Sequence, residues 1–174
     1  MNSVIRPFSS SLNWPAWVMG CLGFWLSASL VLDLIVMPSL FAAGMMGQGS
    51  FVEAGYFIFG LFNRVELLCA AVILSGLFWL RHSQAGDASI KPLTLILAGL
   101  LLLIALSYTY GLTPALSGLG FEMTRFNAEA GLPATMMPLH GLYWSLESLK
   151  LLAGVLLLAQ CWSSVLRHQT SVSS

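Results

Sequence analysis

An apolar stretch over residues 138–158 is long enough to cross a lipid bilayer, yet it carries the ionisable side chains of His140, Glu147 and Lys150. Spacings of seven and then three residues place these groups on one side of an α-helix. An ionised side chain at the centre of a membrane helix costs roughly 2.5–3.5 kcal/mol, so this side is expected to face protein or water. The stretch therefore predicts a membrane helix whose polar side requires partners elsewhere in the chain.

The composition of the whole chain is typical of an integral membrane protein. Of its 174 residues, 57% are hydrophobic and only 8% are charged, which is too few charges to cover a soluble domain of this length. The lipid bilayer is accordingly the first partner that we expect. The formal net charge is zero, which gives no indication of a nucleic-acid partner.

Two further features have ordinary interpretations. The cysteines Cys21, Cys69 and Cys161 stand singly in or beside apolar runs, which favours small buried hydrophobic residues over a zinc or redox site. The apolar run over residues 14–37 is too long for the core of a secretory signal peptide. We expect this run to remain in the protein as its first membrane helix.

Apolar runs and proline positions predict four transmembrane helices, over residues 15–37, 56–80, 92–113 and 138–162. Pro38 and Pro114 are expected to end the first and third helices, because proline lacks an N–H group and its ring crowds the preceding turn. The serine-rich segment 163–174 is expected to be a flexible tail. The predicted fold class is an all-α integral membrane protein, a single-domain four-helix transmembrane bundle.

The flanking basic residues predict how the bundle is oriented. Arg125 falls on one side of the predicted bundle, and four basic residues fall on the other, namely Arg6, Arg81, Lys91 and Arg167. The positive-inside rule then places both termini in the cytoplasm. Tryptophans that suit an interfacial belt fall near the same surface, namely Trp14, Trp17, Trp79 and Trp162. The sequence does not indicate which membrane holds the chain.

The two halves of the chain resemble each other. Residues 60–66 and 141–147 share the form G-L-aromatic-x-x-aliphatic-E, and a Pro-small-Leu motif begins at both Pro38 and Pro114. Each half enters and leaves the membrane on one side, which predicts two tandem helical hairpins in parallel orientation. The alternative is a chance likeness, since membrane helices use few residue types.

The repeat makes Glu66 and Glu147 equivalent and places both near the bilayer midplane. Two carboxylates that face each other cannot both ionise cheaply, so either one holds a proton or a cation lies between them. Lys150, one turn after Glu147, is a candidate for that cation. Arg64 projects away from Glu66, and Asp33 is its expected ion-pair partner.

We therefore predict a polar cluster that consists of Asp33, Asn63, Arg64, Glu66, Tyr108, His140, Tyr143, Glu147 and Lys150. One interpretation is an ion or proton pathway, because ionisable groups inside membranes mark such pathways. The other is an ion-pair network that only fixes the positions of the helices, because the charges nearly cancel. The sequence leaves both interpretations open.

The first helix also carries a face of small residues at helical spacing, namely Ala16, Gly20, Gly23 and Ser27. Small residues let membrane helices approach closely, so this face is a candidate for packing against another helix or another protein. It suggests an accessory or assembly subunit within a larger membrane complex as an alternative function. The first interpretation, a small transporter-like protein whose polar cluster handles ions, protons or a metal, is compatible with a homo-oligomer.

Cofactor and enzyme motifs are weak. Thioether and imidazole ligands suit Cu(I), and the candidates are His140, Met136, Met137, Met45 and Met46. An alternative is that His140 is an interfacial histidine bonded to a neighbouring group. Haem is disfavoured because His82 and His168 fall in or beside cytoplasmic segments, on the side opposite His140. No hydrolytic or nucleotide-binding motif is present, which disfavours an enzyme.

Several motifs are similar to a known family, namely Pro38-Ser39-Leu40-Phe41, Phe59, Asn63, Pro114 and the L-H-G-x-x-x-S-L-E run over residues 139–147. They resemble the four-helix membrane domain found in bacteria and in human transmembrane protein 205, over about residues 17–158. The resemblance implies four membrane helices and a link to drug or metal tolerance, without catalytic residues. A looser likeness to copper-resistance membrane proteins would suit the Cu(I) candidates.

Overall fold

The computed structural model of the protein describes residues 14–45, 49–83, 91–125 and 135–172. These residues form four long helices, which we number α1 (Trp14–Ala42), α2 (Gly49–Ser83), α3 (residues 92–125) and α4 (Met136–Val172). Each helix contains a stretch that is long and apolar enough to cross a membrane, and this part of the chain has no β-strand. The predicted all-helical, multi-pass membrane architecture is therefore confirmed.

Helices α1 and α3 both continue through a proline, so the prediction that Pro38 and Pro114 end their helices is wrong. A π-helical stretch precedes each proline, Leu32–Val36 in α1 and Tyr108–Leu112 in α3. In both stretches the residue just before the proline donates its backbone N–H to the carbonyl five positions earlier. This wider turn relieves the crowding between the proline ring and the preceding carbonyl groups, so the helix distorts locally instead of ending.

Two other helix boundaries differ from the predicted ones. Helix α2 begins at Gly49 instead of about residue 56, and α4 continues to Val172 instead of ending near residue 162. The segment 163–174, expected to be a flexible tail, is thus helical as far as Val172. Its first two serines donate their hydroxyl groups to the backbone carbonyl of Gln160, at 2.9 and 2.8 Å, so their polar groups are satisfied inside the helix.

The helices form a ring in which each packs against its neighbours in sequence and α1 also packs against α4. Helices α2 and α4 therefore lie diagonally across the bundle. At one end, the rings of Trp14 and Trp79 lie 6.3 Å apart and join the start of α1 to the end of α2. The Thr94 hydroxyl at the start of α3 donates to Gln160 near the end of α4 at 2.7 Å. We refer to this end as the Trp14 end and to the opposite one as the Pro38 end.

Aliphatic side chains fill the interior towards the Trp14 end. Each helix contributes at least one almost completely buried residue, among them Leu22, Ile73, Leu101 and Leu157. The outer surface carries many exposed large apolar side chains, as expected where lipid and not water surrounds the bundle. The polar residues of the interior are concentrated closer to the Pro38 end.

Helix α1 meets α2 at a glycine of α2 and not at its own glycines. A Cβ atom added to Gly76 would lie 2.6 Å from Cγ2 of Val18, which shows how closely the two helices approach. By contrast, no atom of the described residues lies within 4 Å of a Cβ atom added to Gly20 or Gly23. The two glycines of the predicted packing face are therefore open towards the surroundings of the bundle.

Candidate functional site

Three ionisable side chains meet in the interior of the bundle, Glu66 from α2 and both Glu147 and Lys150 from α4. The Lys150 ammonium nitrogen lies 2.5 Å from Oε1 of Glu66 and 2.7 Å from Oε2 of Glu147. Lys150 is only 2% exposed, and Glu66 and Glu147 are each 1% exposed. We call these three residues the acid–lysine triad. One ammonium thus bridges two carboxylates that come from diagonally opposite helices.

Helix α1 supplies two further donors to Glu66. The indole N–H of Trp25 donates to Oε1 of Glu66 at 2.8 Å, and the Ser29 hydroxyl lies 3.5 Å from the same oxygen. Trp25 and Ser29 are four positions apart and so lie on one face of α1. Lys150 and Trp25 hold this carboxylate oxygen with short charge-assisted hydrogen bonds, and the longer Ser29 contact adds a weaker one.

Helix α3 supplies the corresponding donor to Glu147. The Tyr108 hydroxyl lies 3.1 Å from Oε2 of Glu147 and 3.3 Å from the backbone carbonyl of Tyr143. The Lys150 nitrogen lies 5.2 Å from the centre of the Tyr108 ring and 5.9 Å from that of Phe62. Both distances fall in the range of cation–π interactions, so aromatic faces as well as carboxylates stabilise the buried ammonium.

A second polar layer lies one helical turn closer to the Pro38 end. The Tyr143 hydroxyl donates to Oδ1 of Asp33 at 2.6 Å, which joins α4 to α1. Asp33 follows Ser29 by four residues on α1, and Tyr143 precedes Glu147 by four residues on α4. The rings of Tyr143 and Tyr108 lie 5.4 Å apart and connect this layer to the triad.

Each π-helical stretch carries one residue of the site. Asp33 is the second residue of Leu32–Val36, and Tyr108 is the first residue of Tyr108–Leu112. A π-helical stretch inserts a residue and changes the direction in which the following side chains project. Asp33 and Tyr108 thus lie at the beginning of the widened turns that precede the two prolines.

Two carboxylate oxygens of the triad, Oε2 of Glu66 and Oε1 of Glu147, find no hydrogen-bond partner among the described residues, and neither is accessible to solvent. An unsatisfied buried polar group costs about 1–3 kcal/mol, and more when it is charged. Among the buried residues that the structure describes, Lys150 is the only basic one, against three acidic ones. The interior is therefore short of positive charge and of hydrogen-bond donors at these two oxygens.

Two residues of the predicted polar cluster lie away from the triad. Arg64 is exposed and forms no ion pair with Asp33 or with any other described residue, so the predicted Asp33–Arg64 pair is wrong. The reason is that Tyr143 reaches Asp33 from the adjacent helix α4, whereas Arg64 projects outwards from α2. His140 is also exposed, and its Nδ1 lies 3.1 Å from the Met136 carbonyl oxygen of its own helix.

Asn63 is buried but serves a different contact. Its side-chain amide donates to the Thr113 hydroxyl at 2.8 Å, which joins α2 to α3 just before Pro114. The remaining predicted residues lie in the two polar layers, namely Asp33, Glu66, Tyr108, Tyr143, Glu147 and Lys150. The structure adds Trp25 and Ser29, which were not predicted as site residues, although their spacing of four with Asp33 was visible in the sequence.

The Cu(I) candidates are not drawn together by any contact that the structure describes. Met137 is exposed, Met45 is partly buried, and Met46 lies outside the described residues. His140 faces the carbonyl of Met136 and not a thioether sulfur. No group of three or more His, Cys, Asp or Glu residues in the described ranges could hold a metal ion. The copper site stays a prediction from the sequence.

The fold and the site together define a multi-pass membrane protein with a buried, partly unsatisfied ionisable site. Comparison of the chain with protein-family models, curated proteins and solved structures finds no match. The resemblance to the four-helix membrane family stays a prediction. A proposal for the function of the protein therefore depends on the geometry of the site.

Proposed function

We propose that the protein is a small transporter-like membrane protein in which Glu66 and Glu147 bind and release a cation, the proton included. The observation that carries the proposal is the pair of buried carboxylate oxygens without a partner. An ionisable group inside a membrane is expensive, and such groups mark ion and proton pathways. The contacts within the triad fix the positions of the two carboxylates and leave one oxygen of each able to accept a positive charge.

A network that served only to fix the helices would be satisfied throughout. Buried polar groups in proteins are nearly always hydrogen-bonded, and a buried ion pair is tolerated when its remaining lone pairs also have donors. In the described part of the chain, Oε1 of Glu66 receives donors from three residues, whereas Oε2 of the same side chain receives none. This uneven distribution favours a binding role over a purely structural one.

The proposal includes the tandem repeat. Both π-helical stretches begin six residues before a proline, in Leu32–Val36 and in Tyr108–Leu112. Glu66 and Glu147, the equivalent acids of the two halves, approach one ammonium. These parallels support two related hairpins that share a central site.

The proposal also includes cytoplasmic termini. The Trp14 end of the bundle carries the exposed side chains of Arg81 and Lys91, and exposed tryptophans near the same end include Trp17, Trp79 and Trp162. Basic residues and interfacial tryptophans at one end suit the cytoplasmic surface under the positive-inside rule. Glu66 and Glu147 then lie on the non-cytoplasmic side of the aliphatic interior.

Reconstitution tests the proposed transport. The full chain is placed in lipid vesicles, and gradients of H⁺, Na⁺ or K⁺ are imposed in separate preparations. We expect cation movement that Glu147→Gln abolishes, because glutamine keeps the shape of the side chain but cannot ionise. Glu53→Gln is the matched control, since Glu53 is exposed near the start of α2 and lies outside the site. Equal movement in Glu147→Gln and the wild-type protein would contradict the proposal.

A second candidate function is that of an accessory subunit in a larger membrane complex. The observation that favours it is the open space beside Gly20 and Gly23, because such faces receive another membrane helix. Gly23→Leu should then release a partner during purification in mild detergent, whereas Glu147→Gln should not. Gly99→Leu is the control, since Gly99 is open in the same way but lies on α3. Purification as a lone homo-oligomer would favour the transporter.

A further inference from the structure

We infer that the cation exchanged at the acid–lysine triad is the proton, and that it reaches the triad through Asp33. The inference rests on the proposed function and names the species and the side of access. It depends on three properties of the interior, which are the space beside the free oxygens, the balance of charge and the difference between the two ends of the bundle.

Among the described residues, the surroundings of the free oxygens offer too few ligands for an alkaline-earth ion. Oε2 of Glu66 and Oε1 of Glu147 are inaccessible, and the Lys150 ammonium already occupies the position between the two carboxylates. Alkaline-earth cations require six or more oxygen ligands at about 2.0–2.6 Å, which these packed side chains do not offer. A cavity of about 380 Å³ lies elsewhere, beside Trp17 and Val72 at the Trp14 end. A proton adds to a carboxylate without requiring volume.

The charge balance also favours a proton. The groups that face Glu147 are Lys150 on its own helix, Tyr108 from α3 and Glu66 from α2. Asp33 on α1 adds a third acid one turn away, and no second buried cation faces it among the described residues. Protonation of one acid of the triad removes one negative charge and gives that carboxyl group an O–H donor. Both changes reduce the shortage of positive charge and of hydrogen-bond donors at this buried site.

The Trp14 side of the triad is closed. The indole N–H of Trp25, which precedes Ser29 by one turn on α1, donates to Glu66 from this side, and the aliphatic interior beyond it includes Leu22, Ile73 and Leu157. Each of these aliphatic residues is at most 2% exposed. In the part of the bundle that the structure describes, a proton therefore meets an aliphatic layer between the Trp14 end and the triad.

The Pro38 side offers a polar route. Asp33 is 7% exposed, more than either acid of the triad, and it lies between them and the Pro38 end. Its hydrogen bond to Tyr143 and the contact of Tyr143 with Tyr108 place polar groups along the way to Glu147. In the proposed step a proton from the Pro38 side binds the Asp33 carboxylate. The Asp33 carboxylic acid then gives up that proton and becomes a carboxylate, as the Glu147 carboxylate gains it.

The experiment uses the full chain in vesicles that contain a pH-sensitive dye, with a pH gradient as the driving force. We expect wild-type protein to carry protons, Glu147→Gln to carry none, and Asp33→Asn to carry them at least tenfold more slowly. Asp33→Glu, which keeps a carboxyl group, should restore most of the rate, and Asp33→Asn should elute as a folded protein in size-exclusion chromatography before reconstitution. Glu53→Gln should match the wild type.

Three outcomes would overturn the inference. Movement of Na⁺ or K⁺ that Glu147→Gln abolishes, without proton movement, would leave the proposed function intact. It would show that the transported cation is not the proton. Proton movement that depends on Glu147 but has the same rate in Asp33→Asn would remove the route through Asp33. The absence of any movement that depends on Glu147 would remove the proposed function and the inference together.

Discussion

Lys150 of α4 lies 2.5 Å from Glu66 of α2, a residue 84 positions earlier in the chain. This contact crosses the bundle diagonally and is the only ion pair between helices in the described residues. The same ammonium binds Glu147 three positions earlier on its own helix. The two halves of the protein are therefore held together at the site by one cation, whose removal tests both stability and function.

The substitution Lys150→Met is expected to destabilise the protein by about 3–5 kcal/mol, because removing one partner of a buried ion pair leaves the other charge uncompensated. Here two carboxylates lose their shared ammonium at once. The measurement is denaturant or thermal unfolding in detergent. The control is the triple variant Lys150→Met, Glu66→Gln, Glu147→Gln, which should recover most of the loss. Wild-type stability in Lys150→Met would show that the ammonium contributes no net stabilisation.

Moving the buried lysine from the second half of the chain to the first tests the proposed tandem repeat. Cys69 is buried one turn after Glu66, as Lys150 is one turn after Glu147. We expect Lys150→Cys alone to reduce the yield of folded protein, and Cys69→Lys added to it to restore the yield. The restored variant places the ammonium at the position that the proposed repeat makes equivalent to 150. Folded yield is measured by size-exclusion chromatography in detergent.

The exchange has a matched control on another helix. Cys21→Lys combined with Lys150→Cys also keeps the number of lysines, but position 21 does not follow either acid by one turn. We expect this pair to stay poorly folded. If it recovered as well as the Cys69 pair, only the number of charges would matter, and the repeat would lose this support.

Periodicity in the sequence was sufficient to predict the membrane helices and part of the site. Four apolar runs predicted four helices, and the spacing of Glu147 and Lys150 placed them on one side of α4. The structure shows that Glu66 faces the same interior, a contact across the bundle that only the repeat motif had suggested. The predicted direction of Arg64, away from Glu66, also agrees with its exposure.

Contacts between distant helices were not predictable in the same way. The sequence paired Asp33 with Arg64 by depth and charge, but the hydroxyl of Tyr143 on another helix takes that position. The prolines were interpreted as helix ends because an ordinary α-helix does not accommodate them, whereas a π-helical stretch such as Leu32–Val36 does. The partner of Asp33 and the path of each helix through its proline both depend on how the helices pack together. No local sequence pattern specifies that packing.

The substitution Gly76→Ala is expected to destabilise the bundle by about 1–3 kcal/mol, the usual cost of overpacking. The added Cβ would lie 2.6 Å from Cγ2 of Val18 and 3.0 Å from Cε3 of Trp14, and neither atom is the end of a flexible chain. Gly99→Ala is the control, because nothing lies within 4 Å of its added Cβ. Thermal unfolding in detergent compares them. Equal unfolding temperatures would show that α1 and α2 can separate without loss.

The substitution Trp25→Phe removes the indole N–H that donates to Glu66 at 2.8 Å while keeping an aromatic ring. We expect a loss of about 1.5–3 kcal/mol, the range for hydrogen bonds to charged groups. Trp144→Phe is the control, because Trp144 is exposed on α4. Unfolding by denaturant measures both. A loss no larger than that of Trp144→Phe would show that Ser29 and Lys150 suffice to hold the Glu66 carboxylate.

Infrared spectroscopy detects the expected proton directly, since the carbonyl stretch of a carboxylic acid is separate from the bands of a carboxylate. With three acids and one lysine among the buried residues that the structure describes, we expect wild-type protein in neutral buffer to show a carboxylic-acid band. Glu147→Gln and Glu66→Gln should each weaken this band, because either substitution removes one negative charge and with it the need for the proton. Glu122→Gln, at an exposed position, should leave the band unchanged. A wild-type spectrum without the band would mean that the buried carboxylates are all ionised, and the triad would then have to be balanced by a cation other than the proton.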